Sequence, residues 1–286
     1  MASRLQSSYR QTTSPTYVER LSGSWILPTS ALAAIRAFIS LYVFVVQFFI
    51  IGYRCSTGRC DTAGRSFSYF TGLGYWGLGF YYAFAAAHTF SYSFRGKPWL
   101  SSWPAWLRWL HSVLYASITI FPFIVTAVYW AGLNDKSFTT PFRSWSNISQ
   151  HALNSVFAFS EIVLPRSDPH PWINVLPLVF LGCCYIGLAY LTHATQGFYV
   201  YDFLDPNENG SGSVVGYCIG ILAACVILFV VVRYAQWARR WLTEVKFGRA
   251  GPQTHHDTTP RHLKKSSSLE HELDQAALSD TRRHDF

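Results

Sequence analysis

Six stretches of the chain are apolar enough and long enough to read as helices, with short polar turns between them. The first, ALAAIRAFISLYVFVVQFFIIGY from Ala31 to Tyr53, supplies the roughly 20 apolar residues that an α-helix needs to cross a hydrocarbon layer. The second, SYFTGLGYWGLGFYYAFAAAHTF from Ser68 to Phe90, interleaves glycine and alanine with aromatic rings, the pattern of a helix packed closely on its neighbours. The others run from Trp106 to Trp130, Ile148 to Leu164, Ile173 to Thr195 and Ser213 to Trp237, divided by turns rich in Pro, Ser, Asn and Asp. The stretch Ile148 to Leu164 has only 17 residues and carries His151, Asn154, Ser155, Ser160 and Glu161. It reads either as a short span or as a re-entrant segment.

Composition narrows the class. Half of the 286 residues are hydrophobic, 17% are aromatic and 13% are charged, about half the charge of an ordinary soluble domain. Helices apolar on every face are not sheltered inside a soluble protein of this size. The expected fold is therefore all-α, a polytopic membrane bundle of six transmembrane helices. Lys and Arg outside the spans or near their ends number 17 on the side holding both termini and 5 on the other, with Arg36 inside the first span, so both termini are expected in the cytoplasm. The net charge of +8 flanks apolar segments and forms no stripe, so nucleic acid is not an expected partner. Three regions follow: a polar cytoplasmic segment at 1–27, a membrane domain at 28–240 and a disordered cytoplasmic tail at 241–286. Neither end is expected to pack.

This orientation puts both N-x-S sequons, at Asn147 and Asn209, on the outer or lumenal side, with Asn209 far enough from the bilayer for glycosylation. Cys55 and Cys60 share the first outer turn and read as a small disulfide or as two free thiols. In the tail, His255 and His256 lack further ligands at metal-site spacing, and Lys264 and Lys265 precede three serines in the manner of a phosphorylation-tuned lipid contact. No metal or organic cofactor is expected. The chain has no G-x-S-x-G elbow, P-loop or dinucleotide fingerprint.

Polar side chains inside spans need a partner or a task. Thr71 lies at the outer end of span two, His151 at the outer start of span four, and His193 near the outer end of span five, so the three share a membrane level. Thr71, Tyr75, Leu78 and Tyr82 form one helix face. The plain alternative for Thr71 is a bond to its own i−4 carbonyl; for His151 it is an interfacial role. Asn154 shares a face with His151 and is a candidate donor to a developing oxyanion, while Asp202, in the acidic turn after span five, is either a proton partner for a histidine or turn chemistry. Glu161 lies about 15 Å along the helix from His151, too far to orient it. Its expected partner is Arg36 or a tyrosine, in a second polar pocket of the inner half. His88 and His111 read as packed or interfacial.

Three segments resemble the androgen-induced-protein (androgen-dependent TFPI-regulating-protein-like) family of integral-membrane threonine hydrolases, in the style of its fungal branch. SYFTGLGYWGLGFYY is similar to the family segment with the catalytic threonine, NISQHALNSVFAFSEIVLPR to the one with the catalytic histidine, and HATQGFYVYDFL to a histidine, glycine and aromatic stretch in which Asp202 takes a position often held by proline. The resemblance spans roughly residues 25 to 240. It implies catalytic roles for Thr71 and His151 and a membrane hydrolase of lipid esters, such as fatty acid esters of hydroxy fatty acids. The expected partners are membrane lipids or a lipid-ester substrate, in the endoplasmic reticulum or else the plasma membrane. A non-catalytic lipid or sterol binder is the alternative. A small transporter has only Arg36 and Glu161 in its favour.

Overall fold

The structure is a computed structural model, and it describes residues 2–133 and 138–249. The described residues are almost wholly helical, with one isolated β-bridge between Ser24 and Pro165. Two short helices, α1 (Ala2–Thr12) and α2 (Pro15–Ser22), precede the long α3 (Thr29–Ser56). A short α4 (Cys60–Arg65) leads into α5 (Phe70–Arg95) and α6 (Ala105–Val128). Next come α7 (Pro141–Ile148), one π-helical turn at Ser149–Leu153 and α8 (Asn154–Val163), then α9 (Val175–Gln196), α10 (Pro206–Asn209) and α11 (Ser211–Arg240).

Each of the six apolar stretches is therefore helical. Four helical segments are long and apolar enough to cross a membrane: Thr29–Ser56, Ala105–Gly132, Trp172–Gln196 and Ser211–Lys246. α5 has 26 residues, enough length to span, but its glycines, tyrosine hydroxyls and His88 dilute its apolar character. α8 alone has 10 residues; α7 and the π turn extend it in one helical direction. Phe38, Leu41, Phe48, Phe180, Leu191, Ile219 and Ile227 face outward. Apolar side chains on the outer surface of a bundle this size are the mark of a lipid-facing wall.

The interior divides into two packed regions. Val43, Val46 and Ile50 of α3 meet Tyr75, Leu78 and Tyr82 of α5 and Tyr115 of α6. Ala116, Ile120 and Ile124 of α6 meet Ile162, Leu178, Cys225 and Phe229 from α8, α9 and α11. The helix face Thr71, Tyr75, Leu78 and Tyr82 thus points inward, and the Tyr82 hydroxyl donates to the Phe157 carbonyl at 2.7 Å.

Contrary to expectation, described residues near both chain ends pack against the bundle. Ser14 caps α2 by accepting from the Tyr17 amide at 3.2 Å, and Pro15 presets the first turn. Tyr17, Val18 and Leu21 are then buried, with the Tyr17 hydroxyl 3.0 Å from Ser112 of α6. Arg20 binds Asp168 at 2.8 Å and Glu244 at 2.7 Å, and Arg240 also reaches Asp168 at 2.7 Å. Glu244 lies in helix continuing past α11 as Trp241–Lys246, within the region read as tail. These bonds tie the N-terminal helices, the turn after α8 and the end of α11 to one end of the bundle. The far end of α3, 28 residues away, belongs to the opposite end. His255, His256, Lys264 and Lys265 lie outside the described residues.

Candidate active site

Thr71 is the second residue of α5, and its position depends on how the chain enters that helix. The turn Ser66–Ser68 folds back over the first turn of α5 so closely that a Cβ on Gly72 would sit 2.3 Å from the Ser66 carbonyl oxygen. Only glycine permits this approach. The N-cap residue, Tyr69, makes no side-chain cap bond, so the first-turn amides lack a cap and carry the positive end of the helix dipole.

Tyr201 occupies that position. Gly197, at φ +74°, ends α9 and turns the chain back, carrying Tyr199 and Tyr201 toward the start of α5. The Tyr201 hydroxyl has as polar neighbours the side chains of Tyr185 and Thr71 and the backbone of Phe70 and Thr71. Burial raises the Tyr201 pKa, while these neighbours pull it back down. Tyr185 in turn donates to the Ser68 carbonyl at 3.1 Å. The phenol oxygen therefore lies beside the first turn of α5, at the positive end of the helix dipole.

His151 arrives from the other half of the chain. Thr140 caps α7 by accepting from the Arg143 amide at 3.2 Å, with Pro141 in the first turn. The helix then widens into the π turn Ser149–Leu153, which carries His151. A single π turn inserts an extra residue and re-aims the side chains around it. Ser149 is held by the Tyr42 hydroxyl at 2.8 Å, and the Trp130 indole donates to the His151 carbonyl at 2.9 Å. The His151 ring stacks on Tyr129 with centroids 3.5 Å apart and planes 5° from parallel. It is 9% exposed, and its Nδ1 has no hydrogen-bond partner among the described residues.

Thr71 and His151 line one cavity of about 1260 Å³. Its inner wall is apolar, formed by Phe121, Ile124 and Val125 of α6 with Ile221, Leu222 and Cys225 of α11. Its other end is polar and is built from helix ends at 54–72, 139–151 and 200–204. Thr71 also borders an adjoining cavity of about 320 Å³. A cavity of this volume with an apolar wall has room for a long apolar chain, and Thr71 and His151 are both among its lining residues.

The remaining sequence candidates divide. Asp202 lines the same cavity. His193 does not; its ring stacks on Tyr199 at 3.7 Å between centroids. Asn154 accepts from Thr126 at 3.1 Å and from the Ser155 amide at 2.8 Å and reaches the Pro122 carbonyl, so its polar atoms serve the α6 and α8 contact. Glu161 and Arg36 form a buried ion pair; Thr89 and the Leu21 carbonyl hold the guanidinium, and Tyr81 donates to Glu161 at 2.7 Å. Glu161 therefore has both of the partners the sequence offers it, Arg36 and a tyrosine. His88 and His111 pack together with centroids 5.1 Å apart, beside Trp103. Cys55 and Cys60 are joined in a disulfide. Asn209 donates to the carbonyls of Asp202 and Asp205, at 2.8 and 3.1 Å. No group of three or more potential metal ligands gathers among the described residues.

Tyr129, Tyr185 and Tyr201 complete the site and were not singled out in the sequence. The only signal was the adjacency of Tyr201 to Asp202. Comparison with protein-family models, curated proteins and solved structures finds no match to this chain.

Proposed function

We propose that this protein is a membrane-embedded hydrolase of lipid carboxylic esters, with Thr71 as nucleophile and His151 as general base. The observation that carries the reading is the placement of both residues on one apolar-walled cavity although 80 positions separate them in the chain. The resemblance of three segments to the androgen-induced-protein family points to the same pair, and fatty acid esters of hydroxy fatty acids are the substrate class it suggests.

In the proposed reaction the His151 imidazole takes the proton of the Thr71 hydroxyl as that oxygen bonds to the ester carbonyl carbon. The first-turn amides of α5 receive the oxyanion when the Tyr201 hydroxyl gives way to the substrate oxygen. Collapse breaks the bond to the leaving oxygen, which takes the proton back from the imidazolium. Water then gives a proton to His151 as its oxygen bonds to the acyl carbon, and collapse breaks the bond to the Thr71 oxygen, which takes that proton from the imidazolium as the fatty acid is freed. Asp202, at the polar end of the cavity, is placed to meet the solvent that supplies this water.

The bundle is proposed to cross the bilayer six times with both termini in the cytoplasm, α5 and the α7–α8 unit joining the four more apolar helices. The meeting of the N-terminal helices, the turn at 165–171 and the end of α11 at one end of the bundle supports that alternation, because an even number of crossings returns the chain to the end from which it started. The endoplasmic reticulum is the proposed compartment, as the usual site of lipid-ester chemistry. A second reading, a lipid or sterol carrier without catalysis, draws on the contact of Thr71 with Tyr201. Hydrolysis of branched fatty-acid esters by purified protein decides between them. Turnover that is lost in T71A and H151A supports the hydrolase; equal release of fatty acid by all three proteins contradicts it.

A further inference from the structure

Four arginines border the polar end of the cavity: Arg54 from the last turn of α3, Arg59 just before α4, Arg65 at the end of α4 and Arg143 of α7. The one acidic residue in the same lining is Asp202. None of the four arginines enters an ion pair among the described residues. Their contacts position them without neutralising them. Arg54 donates to the Thr62 carbonyl at 3.2 Å, Arg65 lies over the Phe198 ring at 4.9 Å, and Arg143 reaches the Thr139 hydroxyl at 3.5 Å.

This gathering runs against the charge pattern of the chain. Of the five basic residues that the sequence assigns to the outer turns, four line this opening. Four like charges set against one carboxylate repel, and the topology rule gives no reason to keep them there. The Cys55–Cys60 disulfide joins the residues that directly follow Arg54 and Arg59 and ties the end of α3 to the start of α4, which holds the first three arginines on one rim. Arginine is the side chain whose planar fork suits carboxylate and phosphate oxygens.

We infer that this arginine rim is a binding subsite for an oxyanion headgroup, carried on a long-chain lipid whose tail fills the apolar part of the cavity. The inference rests on the reading of the cavity as a lipid site, but not on catalysis. A ligand bound this way lies head outward and tail inward, with its middle portion passing Thr71 and His151.

The test is equilibrium binding to the full chain carrying T71A, purified into neutral phosphatidylcholine nanodiscs. The probes are hexadecanoate, hexadecyl phosphate and hexadecanol. The two anions are expected to bind about 10-fold or more tighter than the alcohol, as charge-assisted hydrogen bonds require. In R65Q/R143Q that preference falls to near unity while hexadecanol affinity is unchanged, which also reports an intact cavity; R65K/R143K restores part of it. Competition by phosphatidylglycerol added to the nanodisc identifies a bilayer headgroup as the source of the anion. Its absence identifies a free single-chain acid, and either outcome supports the subsite. Equal affinity for hexadecanol and hexadecanoate overturns it, as does a full anion preference in R65Q/R143Q. Failure of the T71A and H151A hydrolysis test leaves this result standing, so the two proposals fail separately.

Discussion

His151 lies flat on Tyr129, ring centroids 3.5 Å apart and planes within 5° of parallel. Each ring sits in or beside a π turn, Ser149–Leu153 and Tyr129–Leu133, so two irregular helix segments face each other at the site. In the catalytic account no carboxylate orients the imidazole, and the stack does that work. Tyr129→Phe keeps the ring and is expected to retain most activity. Tyr129→Leu removes the stack and lowers kcat by about 10-fold or more, within the range by which a positioned base contributes. Steady-state kinetics on both variants checks this; equal kcat for Leu and Phe contradicts the orienting role.

The close pass of the Ser66 carbonyl over Gly72 yields a second expectation. Gly72→Ala forces the 66–68 turn and the start of α5 apart, because the new Cβ would stand 2.3 Å from a backbone oxygen. Thr71 moves with it, and activity falls sharply along with thermal stability. Gly74→Ala, two residues on, meets nothing within 4 Å and is expected to leave both near wild type or to raise stability slightly through helix propensity. Melting and turnover measured on the two variants side by side separate a local steric effect from a general intolerance of alanine in α5.

Glu161 and Arg36 pair at 2% and 1% side-chain exposure, joining α8 to α3. Removing one partner leaves a buried charge, so Glu161→Ala or Arg36→Ala is expected to cost about 3–5 kcal/mol. Replacing both together with leucine and methionine of similar bulk recovers much of that loss, because the desolvation penalty goes with the charges. Denaturation in detergent tests the cycle. A double variant no more stable than the worse single variant contradicts the account.

The helices were legible because long apolar runs need no tertiary context to be read; Ala31 to Tyr53 falls inside α3 at both ends. The N-terminal helices were not, since Tyr17, Val18 and Leu21 are too few apolar residues to outweigh the polar ones around them. Ser14-Pro15 is the one local start signal there, a capping hydroxyl followed by a proline in the first turn. Span order alone gives Thr71 and His151 a common expected depth, and in the structure they line one cavity. The rest of the site depends on packing. The π turns leave no mark in composition, and Tyr201 drew less notice than its charged neighbour Asp202. The rim of Arg54, Arg59, Arg65 and Arg143 was visible only as scattered outer charges. His193 had the right depth but faces Tyr199, because depth does not fix which way a side chain points around its helix.

The most direct test of the central claim is covalent capture of the nucleophile. Purified protein in nanodiscs is treated with a long-chain alkyl fluorophosphonate, digested and mapped by mass spectrometry. The account predicts one adduct on the peptide containing Thr71, blocked by prior incubation with a lipid ester, absent in T71A and formed far more slowly in H151A. An adduct on another residue, or equal labelling of T71A and the wild type, contradicts it.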